Sequence, residues 1–398
     1  MRPSASFFAA TVVAALAAAC GCARERAARS SDELLAERST IESALESDAD
    51  TQISRLFARV KGELDDHLAG KTAAPPVIDV LVVSGGGDWG AFGAGVLKGW
   101  GRVADPARRR PQFDIVTGVS TGALIAPFAF LGDDASIDRV VELYRNPASD
   151  WAESRSLLSI LFGTDSLAEI PGLERDMQAV VDRDLVSRVA EAGRPGRLMY
   201  VSATNVDHGM VSPFEMGGEA ERAVASGDLA RFHGILLASA AIPGVFPPRE
   251  IDGSLYVDGA ITGNILYGAR MAGEKSFVAR WGRSYPGLPM PKFRYWVVFN
   301  NQLRFPPEVV QPALGTVASR SLFISTQQAT IAAIRHLFAR AEADRLAHGA
   351  DVEVRFLSID DTWVPKTPGP FVAETMNDLA DMGEKLGADP ASWRDESP

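Results

Sequence analysis

Val80-Leu81-Val82-Val83-Ser84 runs into Gly85-Gly86-Gly87-Asp88-Trp89-Gly90, and Phe113-Asp114-Ile115-Val116-Thr117 runs into Gly118-Val119-Ser120-Thr121-Gly122. Each is a short apolar run, rich in β-branched residues, that empties into glycine and is followed by small residues. That is the pattern of a buried parallel strand handing over to a helix. The second motif is a G-x-S-x-G elbow, a sharp strand-to-helix turn that holds a serine hydroxyl exposed. Gly118 and Gly122 let its backbone turn without a clash. The first motif sets a row of backbone N–H groups, those of Gly85, Gly86 and Gly87, at a helix start that closes with Gly90. Such a row suits an oxyanion. A nucleophile and an anion cradle on neighbouring strand ends point to acyl transfer.

Each motif also has a plainer reading. A serine between glycines is often an ordinary turn, and its placement between a strand-like and a helix-like run is what argues for more. Residues 85–90 also fit the G-x-G-x-x-G of a dinucleotide site, which needs an acidic residue at a second strand end about 20 residues on. Asp105 stands near that distance, but in an Arg/Pro-rich loop, and the nucleotide reading fails on that placement.

Composition narrows the classes further. The 398 residues are 46% apolar and 23% charged, enough for one large core with decorations. A formal charge of −11 argues against a nucleic-acid partner and gives no help toward anionic lipid surfaces. The cysteines are Cys20 and Cys22 alone, so the rest of the chain has no disulfide and no cysteine metal site. Histidines at 67, 208, 233, 336 and 348 show no ligand spacing, and neither a metal nor a cofactor is expected.

In chain order, residues 1–22 read as an export signal: Arg2, then an apolar stretch from Phe7 to Ala19 too short to span a bilayer. The alanines before Cys20 resemble a bacterial lipoprotein signal, which implies lipidation of Cys20 and anchoring in the cell envelope. Leu16 stands four residues before the cysteine, where that signal usually has its large apolar residue three before. Plain secretion, periplasmic or external, is the alternative. Residues 23–76 form a charged amphipathic helix or helix pair, expected to act as a tether, and end in the linker up to Pro75-Pro76. Residues 77–362 hold the alternating strands and helices of an α/β fold, and 363–398 a C-terminal extension with a helix. Within the body, residues 148–193 read as an insertion whose Trp151, Leu157, Leu158, Ile160, Leu161 and Phe162 either pack the core or receive an acyl chain. Asp252-Gly253 is turn chemistry for a hairpin, whereas Asp258, in Asp258-Gly259-Ala260, sits where a strand delivers a side chain.

With Asp258 reached, residues 77 to about 270 resemble the patatin-like phospholipase family. The matching parts are the glycine row at 85–90, the elbow at 118–122, the stretch from Ala238 to Pro248, and Asp258-Gly259-Ala260, in the family's order and separations. The resemblance implies a three-layer α/β/α sandwich with a mostly parallel central sheet. It also implies Ser120 as nucleophile, Asp258 as its partner and the glycine row as oxyanion hole, with a lipid ester as substrate. Phospholipids and lysophospholipids come first, with neutral lipids, simple esters and thioesters as alternatives. Trp89 departs from the family, which carries Arg or Lys there. A Ser-His-Asp hydrolase would need a histidine in a loop after a late strand, and His336 and His348 do not lie in one. A non-catalytic lipid-binding protein would need neither Ser120 nor Asp258.

A carboxylate with its ordinary pKa near 3.9 is a poor base, so Asp258 is expected to be buried or in direct contact with Ser120. The oxyanion is expected to point at the N–H groups of Gly86 and Gly87, with help from Thr121.

Overall fold

The computed structural model describes residues 26–155, 165–268 and 276–398. Cys20 with its signal-like segment, and Leu157, Leu158, Ile160, Leu161 and Phe162, lie outside those residues.

Five strands run parallel: β1 (Val77–Val83), β2 (Ile115–Val119), β5 (Leu198–Asn205), β9 (Lys292–Gln302) and β10 (Val352–Ile359), in the order β10-β9-β1-β2-β5. The central β1 and β2 are apolar almost throughout because both faces are covered, whereas the edge strand β10 alternates with Glu353 and Arg355. Alternate residues of β1 divide between the layers. Leu81 and Val83 face one core, with Phe92, Trp100, Phe128 and Phe130. Ile78, Val80 and Val82 face the other, with Phe57, Trp281, Phe293 and Ile334. The first layer is built by α2 (Gly90–Gly101), α3 (Thr121–Leu131) and α4 (Asp134–Arg145), and the second by α1 (Ser31–Leu68), α9 (Phe277–Ser284) and α10 (Leu314–His348). The expected three-layer α/β/α sandwich with a mostly parallel sheet is what forms.

The sheet continues antiparallel through β6 (Met210–Glu215), β7 (Arg249–Ile251) and β8 (Ser254–Asp258). Asp252 at φ 50° and Gly253 at φ 74° make the tight hairpin between β7 and β8. Strand β5 organises the site. Strand β6 pairs along one edge, from Tyr200–Glu215 to Asn205–Met210. The other edge is shared: β2 occupies it as far as Val119–Ser202, and β8 takes over from Ala203–Asp258 onward.

Helix α1 is one helix of 38 residues rather than a pair. Ser30 caps it, its side chain accepting from Glu33 N while Glu33 reaches back to Ser30 N, the reciprocal pattern of a capping box. Its later turns bury Ile53, Leu56, Phe57, Val60 and Leu64 against the sheet. Arg26–Asp207 at 2.7 Å and Glu37–His208 at 3.2 Å secure its start.

Residues 363–398 are also part of the body. Helix α11 (Ala373–Gly387) lies against α2 with small residues at the seam: a Cβ on Gly95 would overlap the Ala380 carbonyl, and one on Gly383 the Phe92 carbonyl. Residues 148–193 form a two-stranded ribbon, β3 (Glu153–Ser154) with β4 (Ala168–Glu169), followed by α5 (Pro171–Val180) and α6 (Arg183–Gly193).

Candidate active site

Ser120 is the first residue beyond β2 and has φ 54° and ψ −124°, a conformation costly for any residue but glycine. Its own N–H donates to Ser239 Oγ at 2.9 Å, and Ser239 Oγ donates to the Ser202 carbonyl at 2.7 Å. The last residue of α8 (Ala230–Ser239) thereby clamps the strained turn to β5. The glycines around the turn make room for backbone. A Cβ on Gly118 would strike the Gly122 carbonyl, one on Gly122 the Val83 carbonyl, and one on Gly259 the Ser202 carbonyl. Gly90 leaves space for the Thr121 side chain.

Asp258 is 2% exposed. Its N–H donates to the Ala241 carbonyl at 2.8 Å, and Thr204 Oγ1 donates to its carbonyl at 2.9 Å. The carboxylate accepts the Ala260 N–H at 2.8 Å and lies beside the Ser120 hydroxyl. Burial pushes its pKa up to about 6, against the pull of those two neighbours. Of the two alternatives expected for Asp258, burial or direct contact with Ser120, burial is what the structure shows.

The glycine row divides. Gly85 N–H is taken by Asn264 Oδ1 at 2.8 Å, so Gly85 drops out of the expected set of oxyanion donors. Ser84 stiffens the strand end: Asn300 N donates to its Oγ at 2.9 Å and Asn300 Nδ2 to its carbonyl at 2.8 Å. Trp89 N–H closes a short turn on the Gly86 carbonyl at 3.2 Å. The N–H groups of Gly86, Gly87 and Thr121 meet no acceptor among the described residues.

Sequence reasoning did not find the wall beside this turn. Asp88 accepts the Phe371 N–H at 3.0 Å, and the Trp89 ring meets Trp363 edge-on at 5.2 Å. The Phe371 ring lies 5.7 Å from Trp151 and 6.2 Å from Phe246, and Trp151 lies 6.4 Å from Tyr144, whose hydroxyl bonds Thr121 Oγ1. The aromatic chain from Tyr144 to Phe371 thus starts beside Thr121, the residue after Ser120, and two residues of the C-terminal extension, Trp363 and Phe371, brace the turn at Trp89 and Asp88. In the sequence they show only as apolar residues in a Pro/Gly-rich stretch. Asn264 and Ser239 likewise carry no local pattern.

Four of the five histidines have other partners, and His348 closes the end of α10. His208 bonds Asn205 and Glu37, His233 the Val181 carbonyl at 2.7 Å, His336 the Tyr267 hydroxyl at 2.6 Å, and His67 the Thr72 carbonyl at 3.0 Å. Among the described residues, no three His, Cys, Asp or Glu side chains gather as a metal site, and no helix is long and apolar enough to cross a membrane.

With this geometry in place, the comparisons with known proteins bear on the same segment. The model of the patatin-like phospholipase family matches residues 81–269. These residues form a patatin-like phospholipase domain. The match takes in the glycine row, the elbow, Asp258 and Asn264, and it ends where the patatin-like domain leaves the antiparallel strands. Strands β9 and β10, α11 and the Phe371 segment lie outside it. Among solved structures, the crystal structure of VipD from Legionella pneumophila is 12% identical, with 81% of this chain and 68% of that chain covered and a TM-score of 0.37. No curated protein matches the chain.

Proposed function

We propose that the chain is a serine acyl hydrolase that cleaves carboxylic esters of lipids, of the phospholipase A or lysophospholipase type, through a Ser120–Asp258 dyad. The observation that carries this reading is Ser120, held on its strained elbow beside a buried carboxylate whose pKa lies near 6, close to the value a general base needs at neutral pH.

Asp258 accepts the hydroxyl proton as Ser120 Oγ attacks the ester carbonyl carbon. The carbonyl π electrons move onto oxygen, and that oxyanion is held by the N–H groups of Gly86, Gly87 and Thr121. One such donor is worth about 3 kcal/mol. As the carbonyl re-forms, the bond to the leaving alkoxide breaks and Asp258 returns its proton to that oxygen. The acyl group is left esterified to Ser120. Water then repeats the sequence with Asp258 as base, releasing the acid and restoring the serine. Phe371, half-buried beside the glycine turn, supplies apolar surface for the acyl chain, and Tyr144, Trp151 and Phe246 pack behind it in the core. With Trp89 in place of a cation, nothing in the glycine row attracts an anionic head group, which favours neutral and zwitterionic lipids over acidic ones.

We also propose, from the signal-like sequence, that Cys20 is lipidated and holds the protein in a bacterial cell envelope. Several acyl chains are needed for stable anchoring. Purified protein incubated with a mixed panel of phospholipids, lysophospholipids and acylglycerols and read by mass spectrometry tests the activity, with Ser120→Ala as control. No product from any lipid would refute it. Cys20→Ser should move the protein to a soluble fraction and leave turnover of a water-soluble ester intact. Retention in the membrane would refute the anchor.

A further inference from the structure

Helix α1 is fastened at both ends and spans a gap between them. Its start is tied by Arg26 and Glu37, and its later half is buried from Ile53 to Leu64. Between these points Arg38, Glu42, Leu45, Ala49 and Ile53 recur every three or four residues on one side of the helix and line a cavity of about 620 Å³. The floor is the sheet face away from Ser120's helix layer, with Val80, Ile115 and Leu198, one residue from each of β1, β2 and β5. Protein interiors seldom leave voids larger than a water molecule, and a mostly apolar pocket of this volume with a few polar groups is the usual form of a ligand site.

A polar group marks the wall. Tyr200 lines the cavity from β5, and its hydroxyl is buried without a hydrogen-bond partner. Burial raises its pKa, so it stays protonated and offers one O–H donor. Leaving such a group unpaired is costly, which a bound acceptor would relieve.

Shape and charge narrow the occupant. The lining stretch of α1, Arg38 to Ile53, runs roughly 22 Å along the helix at 1.5 Å per residue, so the space is long rather than compact. Glu42 and Glu46 line it, and the charges of Glu215 and Asp48 bear on Tyr200 from nearby. The nearby cations are engaged: Arg38 with Glu42 at 3.0 Å and the His208 carbonyl at 3.3 Å, and Arg280 with Asp50. Among the described residues, a carboxylate head would meet net negative charge with no cation in the lining but Arg38, which is engaged.

We propose that this cavity is a second lipid site, separate from the Ser120 cleft, that binds a neutral single-chain amphiphile such as a monoacylglycerol, with an ester or hydroxyl oxygen accepting from Tyr200. The site does not depend on hydrolysis at Ser120.

The test uses the full chain carrying Ser120→Ala, so that nothing is turned over, titrated calorimetrically with 1-monodecanoylglycerol and, in parallel, with decanoate. One-to-one saturable binding of the monoacylglycerol is expected, with decanoate at least tenfold weaker. Ala49→Trp and Ser43→Trp, two plugs on the cavity side of α1, should each weaken binding at least tenfold. Tyr200→Phe should weaken it about fivefold, the effect of one neutral hydrogen bond. Thermal unfolding of each variant shows that it is folded, and having two plugs keeps the test decisive if one is not. Absence of saturable binding, binding that survives both plugs, or decanoate bound as tightly as the monoacylglycerol would each overturn the proposal. Failure here with intact hydrolysis in the Ser120 protein would leave the hydrolase reading untouched.

Discussion

Ser120 and Asp258 meet along one edge of a single strand. Val119 pairs with Ser202 and Asp258 pairs with Ala203, so the strand carrying Ser120 leaves β5 where the strand carrying Asp258 arrives. One strand therefore sets their separation, and Ser239 and Thr204 pin each side of the junction by bonding to β5 or from it.

The first prediction concerns this pair. Ser120→Ala and Asp258→Asn should each lower kcat by at least about 10³-fold, as loss of a nucleophile or its base does elsewhere. His233→Asn and His336→Gln should keep most of the activity. Steady-state kinetics on a soluble ester, with circular dichroism to show folding, decides. A histidine variant as damaged as Ser120→Ala would disprove the dyad.

The second follows from the Asp258 pKa. The base must be ionised, so kcat/KM should rise with pH through about 6 and level off above it. Stability should run the other way. The folded pKa lies above the ordinary 3.8, so between these values the folded state holds the extra proton and stability falls as pH rises. Asp258→Asn should therefore unfold at a higher temperature than the parent at pH 8, by on the order of 2 kcal/mol. The gap should close below about pH 4. An equal or lower melting temperature at pH 8 would contradict the burial cost assigned to Asp258.

The third concerns the turn carrying Gly86 and Gly87. Asp88 holds it to Phe371 N–H, so Asp88→Ala should reduce kcat roughly 10- to 100-fold, the range expected when an oxyanion donor is displaced. KM should change little, and Asp88→Asn, which keeps an acceptor oxygen, should recover most of the loss. A change confined to KM would show that Asp88 does not position the oxyanion donors.

The fourth tests the seam between α2 and α11. Gly383→Leu places a side chain against the Phe92 carbonyl and should destabilise the protein by about 3 kcal/mol in urea unfolding, the cost of overpacking. Gly282→Ala, on α9 where a Cβ meets only the end of Met290 at 3.9 Å, should be nearly neutral. Similar unfolding midpoints for the two would show that the helices can separate without cost.

The sequence disclosed what is written in local periods. Strand β1 was legible from Val80 to Val83 because that apolar run empties into glycine, and the elbow and the Asp252 turn because their φ angles demand particular residues. Long-range pairing left no such trace. Strand β9 lies beside β1 from more than two hundred residues away, through pairs such as Val80–Tyr295 that no local pattern specifies. Helix α1 read as a tether because its exposed first half is charged, although Leu56 and Phe57 are fully covered. Gly85 looked equal to Gly86 and Gly87 until Asn264, contributed by a loop after Asp258, took its N–H. Phe371 and Trp363 were invisible as site residues for the same reason: their meaning comes from what lies opposite them.

The bond from Phe371 to Asp88 also has a consequence in time. Ribosomes deliver the chain from its start, so the serine, its carboxylate and the glycine turn are all made before Phe371 exists. Until that residue and α11 emerge and settle on α2, the turn that would hold the oxyanion lacks its outer brace. The brace that Phe371 gives Asp88 thus joins the first glycine motif to nearly the last part of the chain to be made, and the turn reaches its final form only when the chain is complete to α11.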